Sequence, residues 1–412
     1  MTLDQSSTLI VKAGTLVDGT GAPPRRGAQI TIRDGRIVEV GPIGDAPSDA
    51  QVIDASSQTV VPGLIDCHVH LVFSGDADPL ADVLADDDAT LLLRASMAAR
   101  TALAAGVTTV RDLGDRRATA RRLRDAVARG LVPGPRILSA GAPITITGGH
   151  CHFLGIAADS EDDVRRVARQ QLKDGTNCLK IMASGGRMTP GANPRWPQYS
   201  VNQVKAAVEE ARRAGVRIAA HALSAESIRN AAEAGVDNVE HCGWLGREDG
   251  LAFDESTAEL MRERGVAFDP TMSPTEAMMR LDPSVWNETQ KAAAVTRGEL
   301  IAAFRRMLEL GVTLVAGTDA GVRKTPFDSL PRELELYVRQ LGMSPLAAIT
   351  AATGTSARVL GLEGEAGSIQ PGWKADLLVV DGDPTVDITA LQQVRTVLQS
   401  GRVTVEDGRV LA

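Results

Sequence analysis

Residues 60–75 read VVPGLIDCHVHLVFSG. Apolar residues fill both flanks, and the run is interrupted by Asp66, His68 and His70. A continuous apolar run bounded by turn residues is the pattern of a strand buried on both faces, as in a parallel sheet covered by helices. Residues i and i+2 of a strand face the same side, about 6.5–7 Å apart at the backbone, so His68 and His70 can converge on one cation. A His-x-His pair by itself carries little weight, and its meaning depends on what the other strands hold.

Seven further runs have the same character: VTTVRDLG (107–114), RILSAG (136–141), NCLKIMAS (177–184), VRIAAHAL (216–223), NVEHCGW (238–244), VAFDPTM (266–272) and VTLVAGTDA (312–320). Helical patterns such as SEDDVRRVARQQLKDG (160–175) and VNQVKAAVEEARRAG (201–215) lie between them. Eight β-then-α units predict an α/β fold of the TIM, or (β/α)8, barrel type. Both chain ends read instead as short alternating strands, in TLIVKAGTLVDG (8–19), AQITIRDGRIVEVG (28–41), KADLLVVDGDP (374–384) and VRTVLQSGRVTVEDGRVLA (394–412). Asp34-Gly35 and Asp407-Gly408 are hairpin signals. Neither end can close a sheet alone, so the two are expected to join in one small β domain. The expected division is 1–59 and 364–412 for that domain and 60–363 for the barrel.

Composition narrows the function. Lys and Arg number 44 against 52 Asp and Glu, for a net charge of −8. Nucleic acid is therefore an unsuitable partner, because phosphate binding needs clustered bases. No apolar run is long enough for a membrane span, and the first residues lack a signal peptide's basic and apolar regions. Four cysteines in 412 residues do not make a disulfide framework. Free thiols and a cytoplasmic location are the expectation.

In a barrel of this type, functional side chains emerge at the C-terminal ends of the strands. All six histidines fall there or just after: His68, His70, His150, His152, His221 and His241. Asp319 ends the eighth strand and Lys180 lies in the fourth. His68, His70, His221, His241 and Asp319 would face one mouth, which reads as a metal site. Imidazole and carboxylate suit zinc, with manganese, iron or cobalt as alternatives. Cys67 and Cys242 alternate away from their neighbouring histidines and should face the helices. Cys178 could share an inward side with Lys180, a small buried thiol being the commoner case, and the side chain of Cys151 is not assigned by the pattern. A lysine buried in an apolar strand either extends its head to the mouth or loses its charge. A neutral amine that adds CO2 becomes a carbamate, an anionic ligand with two oxygens.

The pieces PGLIDCHVH, LKIMASGG, AAHALS, VEHCG and AGTDAG, in this order, resemble the amidohydrolase superfamily over essentially the whole chain. The resemblance implies a metal-dependent hydrolase on a (β/α)8 barrel, with a flanking β-sandwich built from both termini. It implies two divalent ions, with zinc the first choice. His68, His70 and Asp319 would hold one ion and His221 and His241 the other, with Lys180 carboxylated by CO2 as the bridge. The fit is closest to the branch related to imidazolonepropionase that contains Xaa-Pro dipeptidases and N-acyl amide hydrolases. Lys180 counts against the single-metal members, imidazolonepropionase itself and the cytosine-deaminase type.

The implied reaction is cleavage of an amide or peptide-like C–N bond of a small molecule by a metal-bridging hydroxide. Asp319 would shuttle the proton as catalytic residue, and His150 would hydrogen-bond the carbonyl or the developing oxyanion. Substrate contacts are expected from His150, His152, Arg187, Arg195 and Tyr199, the last three in the loop GGRMTPGANPRWPQYS (185–200). This loop reads equally as a lid or as ordinary solvated chain. The same site would serve a lactone, carbamate, aryl-amide toxin or organophosphate. Arg111 and Asp112 are expected to pair with each other, and MSPTEAMMR (272–280) to be helix core rather than a substrate wall. Relatives of this kind are often homo-oligomers, so one is expected here.

Overall fold

The computed structural model describes residues 8–286 and 288–411. Both termini meet in one mixed sheet of eight strands, running Arg409–Val410, Arg402–Glu406, Val394–Gln399, Leu377–Val380, Gln51–Pro62, Leu9–Leu16, Arg25–Arg33 and Arg36–Pro42. The join is Gln51–Pro62, which pairs parallel with Leu9–Leu16 and antiparallel with Leu377–Val380. The period-two alternation of these strands sorts their side chains. Val11, Ile30, Val60, Leu377 and Val379 pack into a core of the sheet's own. Their neighbours Val61, Leu378 and Val380 enter the main core of the middle region. The two Asp-Gly turns form as expected, with φ of 51° and 72° at Asp34-Gly35 and 45° and 73° at Asp407-Gly408. Two consecutive left-handed residues are what a tight hairpin of the correct twist requires.

The middle of the chain forms two parallel sheets. One has Leu64–Val69, Val107–Asp112 and Arg136–Ser139 side by side. The other runs Ala267–Asp269, Asn238–Glu240, Arg217–His221, Cys178–Met182, Ile144–Thr145 and Ile156–Ala157. Every residue of Leu64–Val69, Val107–Asp112 and Cys178–Met182 is buried, as expected of strands covered on both faces, and their few polar residues are buried with them. Helices separate the strands, and their ends are written in the sequence. Glu161–Lys173 and Val201–Ala214 start on reciprocal capping boxes at Ser160/Asp163 and Ser200/Gln203. Val201–Ala214 stops at Gly215 in the left-handed region.

Segment 312–320 departs from the expected ladder strand. It touches both sheets only through isolated bridges, Phe268 with Leu314 and Val69 with Ala320. The reason lies in Thr318, whose N–H and Oγ1 both donate to the Asp66 carboxylate instead of to a neighbouring strand. Even so, Val315 N–H reaches Phe268 O at 3.0 Å and Cys67 N–H reaches Ala316 O at 2.8 Å, so this segment links the two sheets. On their other side, Asn177 N–H donates to Ser139 O at 2.8 Å. Among the described residues no helix is long and apolar enough to cross a membrane.

Candidate metal centre

The strand ends open on one cavity of about 370 Å³. Its wall includes His68, His70, His150, Lys180, His221, His241 and Asp319, which the chain supplies from positions up to 251 residues apart. Nε2 of His68 and of His70 lie 3.4 and 3.3 Å from Asp319 Oδ1. The ring centroids of His68 and His241 are 5.0 Å apart, and those of His221 and His241 4.7 Å. Side-chain ligand atoms of His68, His241 and Asp319 all lie within 4.8 Å of one another.

Local backbone strain aims several of these groups. His241 and Asp319 sit at φ 65° and 56°, in the left-handed region that non-glycine residues seldom occupy. Leaving the strand direction there turns the side chain toward the mouth. Gly317 has to be glycine, because a Cβ would collide with Asp269 Oδ2 and the His68 side chain.

Four imidazoles of this wall have one nitrogen close to a fixed polar atom. His68 Nδ1 is 2.9 Å from Glu240 Oε2, His241 Nδ1 2.7 Å from Thr271 Oγ1, and His221 Nε2 3.0 Å from Gly185 O. His150 Nδ1 is 3.1 Å from Thr189 Oγ1. Such partners fix the ring and its tautomer; in His68, His221 and His241 the other nitrogen is left for a ligand, whereas His150 Nε2 lies 3.4 Å from Cys151 Sγ. Glu240 is itself held by Arg111, whose guanidinium donates to Glu240 Oε1, Asn238 Oδ1 and Cys67 O at 2.7–2.9 Å.

Burial sets the charge states. It drives His68 and His150 down to about 3 and His241 to about 4, helped by the nearby Lys180 and other cations, and it takes His221 well below its usual range. All four imidazoles are therefore neutral at pH 7, the form that ligates metals. Burial raises Asp319, but the adjoining His68, His70 and His241 outweigh it and hold the carboxyl below its usual range. Burial also lowers Lys180. Lys180 Nζ and Asp319 Oδ1 are buried with no hydrogen-bond partner among the described residues. Two orphaned polar atoms in one wall are costly unless a ligand satisfies them. The donor set, neutral imidazoles with carboxylate, fits divalent metal.

The structure also corrects several expectations. His152 is exposed, with Nδ1 3.1 Å from Gly149 O, and does not line the cavity. Arg195 donates to Gly246 O and Gly250 O, so its charge ties two loops together. Tyr199 is buried in the main core, its hydroxyl donating to Ala158 O at 2.8 Å. Loop contacts consume all three. Arg187 does reach the cavity; it is surrounded by protein yet stays open to solvent at the mouth. Arg111 pairs with Glu240 rather than Asp112, because adjacent strand residues point to opposite faces. Asp112 accepts instead from Leu71 N–H and Gly114 N–H. Met278 lines the cavity, and in its helix Ser273–Met279 only Ser273 is buried, so this helix is a wall and not core. Cys67 and Cys242 do face helices, against Ser356 and Met307.

Three acids escaped functional assignment. Asp66 binds Thr318 and the His68 N–H, Glu240 orients His68, and Asp269 packs against both His68 and Glu240. The interruption of an apolar run by an acid was visible in each case, but the partner lay on another strand.

The amidohydrolase family profile matches residues 59–404. Ochratoxinase from Aspergillus niger is 30% identical, across 96% of this chain and 85% of its own. Imidazolonepropionase from Salinispora tropica is 26% identical, across 96% of this chain and 98% of its own. A crystal structure of a Xaa-Pro dipeptidase with methionine bound in its active site superposes with a TM-score of 0.86 at 32% identity, covering 96% of this chain and 99% of that one. The chain belongs to the amidohydrolase family, the metal-dependent hydrolases of C–N bonds.

Proposed function

We propose that the protein is a binuclear hydrolase of small amides, acting on a dipeptide or an N-acyl amino acid. In this reading the two parallel sheets form a closed (β/α)8 barrel over residues 60–363, flanked by a sandwich from 1–59 and 364–412. His68, His70 and Asp319 would hold one divalent ion, His221 and His241 the second, and carboxylated Lys180 would join them. Zinc suits these donors best.

The observation that carries the reading is Lys180, whose Nζ is buried without a hydrogen-bond partner among the described residues, in a wall shared with His68, His70, His221, His241 and Asp319. A neutral amine there attacks CO2 and loses a proton, giving a carbamate that satisfies the orphaned position. When bound, the metals supply Lewis acidity, polarising the scissile carbonyl and making a water acidic enough to attack. The Asp319 carboxylate, held in its charged form beside His68, His70 and His241, would take up a proton and pass it to the leaving nitrogen. His150, whose Nδ1 is held by Thr189, would present Nε2 to the carbonyl oxygen in exchange for its 3.4 Å contact with Cys151 Sγ. Gly186 gives that ring its room, since a Cβ at 186 would collide with it.

A Xaa-Pro dipeptidase with a free amino acid in its active site supports the dipeptide side of this reading. The ochratoxinase likeness favours a second one, hydrolysis of an aryl-amide toxin. The test is a hydrolysis screen of the metal-reconstituted protein over dipeptides, N-acyl amino acids, aryl amides, lactones and carbamates. Turnover of dipeptides or N-acyl amino acids is expected. Cleavage confined to lactones or carbamates overturns the amide reading.

A further inference from the structure

The cavity has two apolar walls and a cationic rim, and the reaction chemistry uses none of them. Phe73, Leu80, Met188 and Val322 make one wall, rooted in a buried apolar cluster. Pro274, Met278, Leu281 and Leu300 make the other. Met278, Leu281 and Leu300 are only partly buried, so this second wall presents apolar surface to an open cleft. Apolar area left facing a cleft is surface that a bound apolar group would cover.

The rim is formed by Arg187, Arg323 and Lys324. Elsewhere arginines are matched to acids: Arg169 and Arg213 to Glu210, Arg306 to Glu255, Arg111 to Glu240. Arg187, Arg323 and Lys324 form no ion pair among the described residues. Besides Asp319, the acid in the lining is Asp78, whose carboxylate caps the N–H of Ala81. The rim therefore carries cations with uncommitted donors beside an apolar cleft. Arginine's fork suits a carboxylate, and a charge-assisted contact of this kind is among the strong ones.

We propose that Arg187, Arg323 and Lys324 read a free substrate carboxylate while Met278, Leu281 and Leu300 hold a bulky apolar group. The favoured substrates are then amino acids N-acylated by, or peptide-linked to, a large apolar moiety, with the carboxylate left free. This deepens the proposed amide hydrolysis and rests on it.

The test compares N-octanoyl-glycine with its carboxamide and with N-acetyl-glycine on metal-loaded protein, by equilibrium binding and by hydrolysis. The carboxylate is expected to bind about 10- to 100-fold tighter than the carboxamide. The octanoyl compound is expected to bind at least about tenfold tighter than the acetyl one. In an Arg187→Gln, Arg323→Gln, Lys324→Gln triple variant the carboxylate preference is lost while the octanoyl preference stays. Met278→Asn with Leu300→Asn reverses that pattern. Equal binding of acid and carboxamide, or a carboxylate preference that survives in the triple variant, overturns the rim assignment. Absence of an octanoyl preference overturns the wall. Binding that follows the expected pattern without any amide cleavage sinks the proposed reaction and leaves the recognition surface standing.

Discussion

The hairpin turns of the terminal sheet hold left-handed pairs, Asp34-Gly35, Ser400-Gly401 and Asp407-Gly408. Left-handed residues after the parallel strands include His241, Cys242, Thr271 and Asp319. Gly adopts this conformation at little cost and Asp and His more readily than most residues, whereas the β-branched Thr does so at a cost of order 1–3 kcal/mol. The terminal sheet therefore bends where bending is cheap. The strand ends bend where a nitrogen or oxygen has to be aimed. The ion pairs differ in the same sense. Arg395–Asp407 in the terminal sheet is half exposed, while Arg111–Glu240 is at most 1% exposed and holds His68.

If the strand ends are built for chemistry, Asp319→Asn should give the largest effect. Turnover is expected to fall by about 10²- to 10⁴-fold with metal content nearly intact, measured by steady-state kinetics beside elemental analysis. Near-normal turnover would remove the proton-shuttle role. The buried pair comes next. Arg111→Met should destabilise the fold by about 3–5 kcal/mol, because it leaves the Glu240 charge uncompensated. Arg395→Ala, on the exposed pair, should cost under about 1 kcal/mol. Urea unfolding of both variants measures the gap, and equal costs would erase the distinction between the regions.

Glu333 sharpens the comparison through pH. It is buried and accepts from Met272 N–H, Ser273 N–H and Ser273 Oγ. Burial, opposed by those bonds, raises it from 4.5 to about 7. The folded state thus holds a proton that the unfolded chain releases. Its contribution to stability is whole below pH 4.5 and is lost as pH rises through about 7. That loss is on the order of 1–3 kcal/mol. In Glu333→Gln the fall in unfolding free energy between pH 5 and pH 8 should shrink by about this amount. A comparably small effect is expected at a hairpin turn of the terminal sheet. Gly408→Ala, at φ 73° with open space around it, should cost about 1 kcal/mol and leave kcat/KM unchanged.

These two regions were not equally legible in the sequence. Alternation and Asp-Gly turns foretold the terminal strands and their hairpins, because period and turn chemistry are local. The histidines at strand ends were legible for a related reason: an apolar strand leaves a polar residue conspicuous. What stayed hidden depends on contacts across strands. Glu240 touches His68 from another strand, and Asp66 draws Thr318 out of ladder pairing. Tyr199 and Arg195 looked like substrate contacts because their loop is rich in such residues. Only tertiary packing spends them on Ala158 and on Gly246 and Gly250.

The central claim is that Lys180 unites two ions. Metal stoichiometry of protein purified with zinc and bicarbonate, for wild type and Lys180→Met, tests it most directly, together with a ¹³C-bicarbonate NMR experiment on the wild type. The account predicts two ions per chain and a carbamate carbon signal in the wild type, with no signal and at most one ion in the variant. One ion per wild-type chain with Lys180 left as a free amine would contradict it.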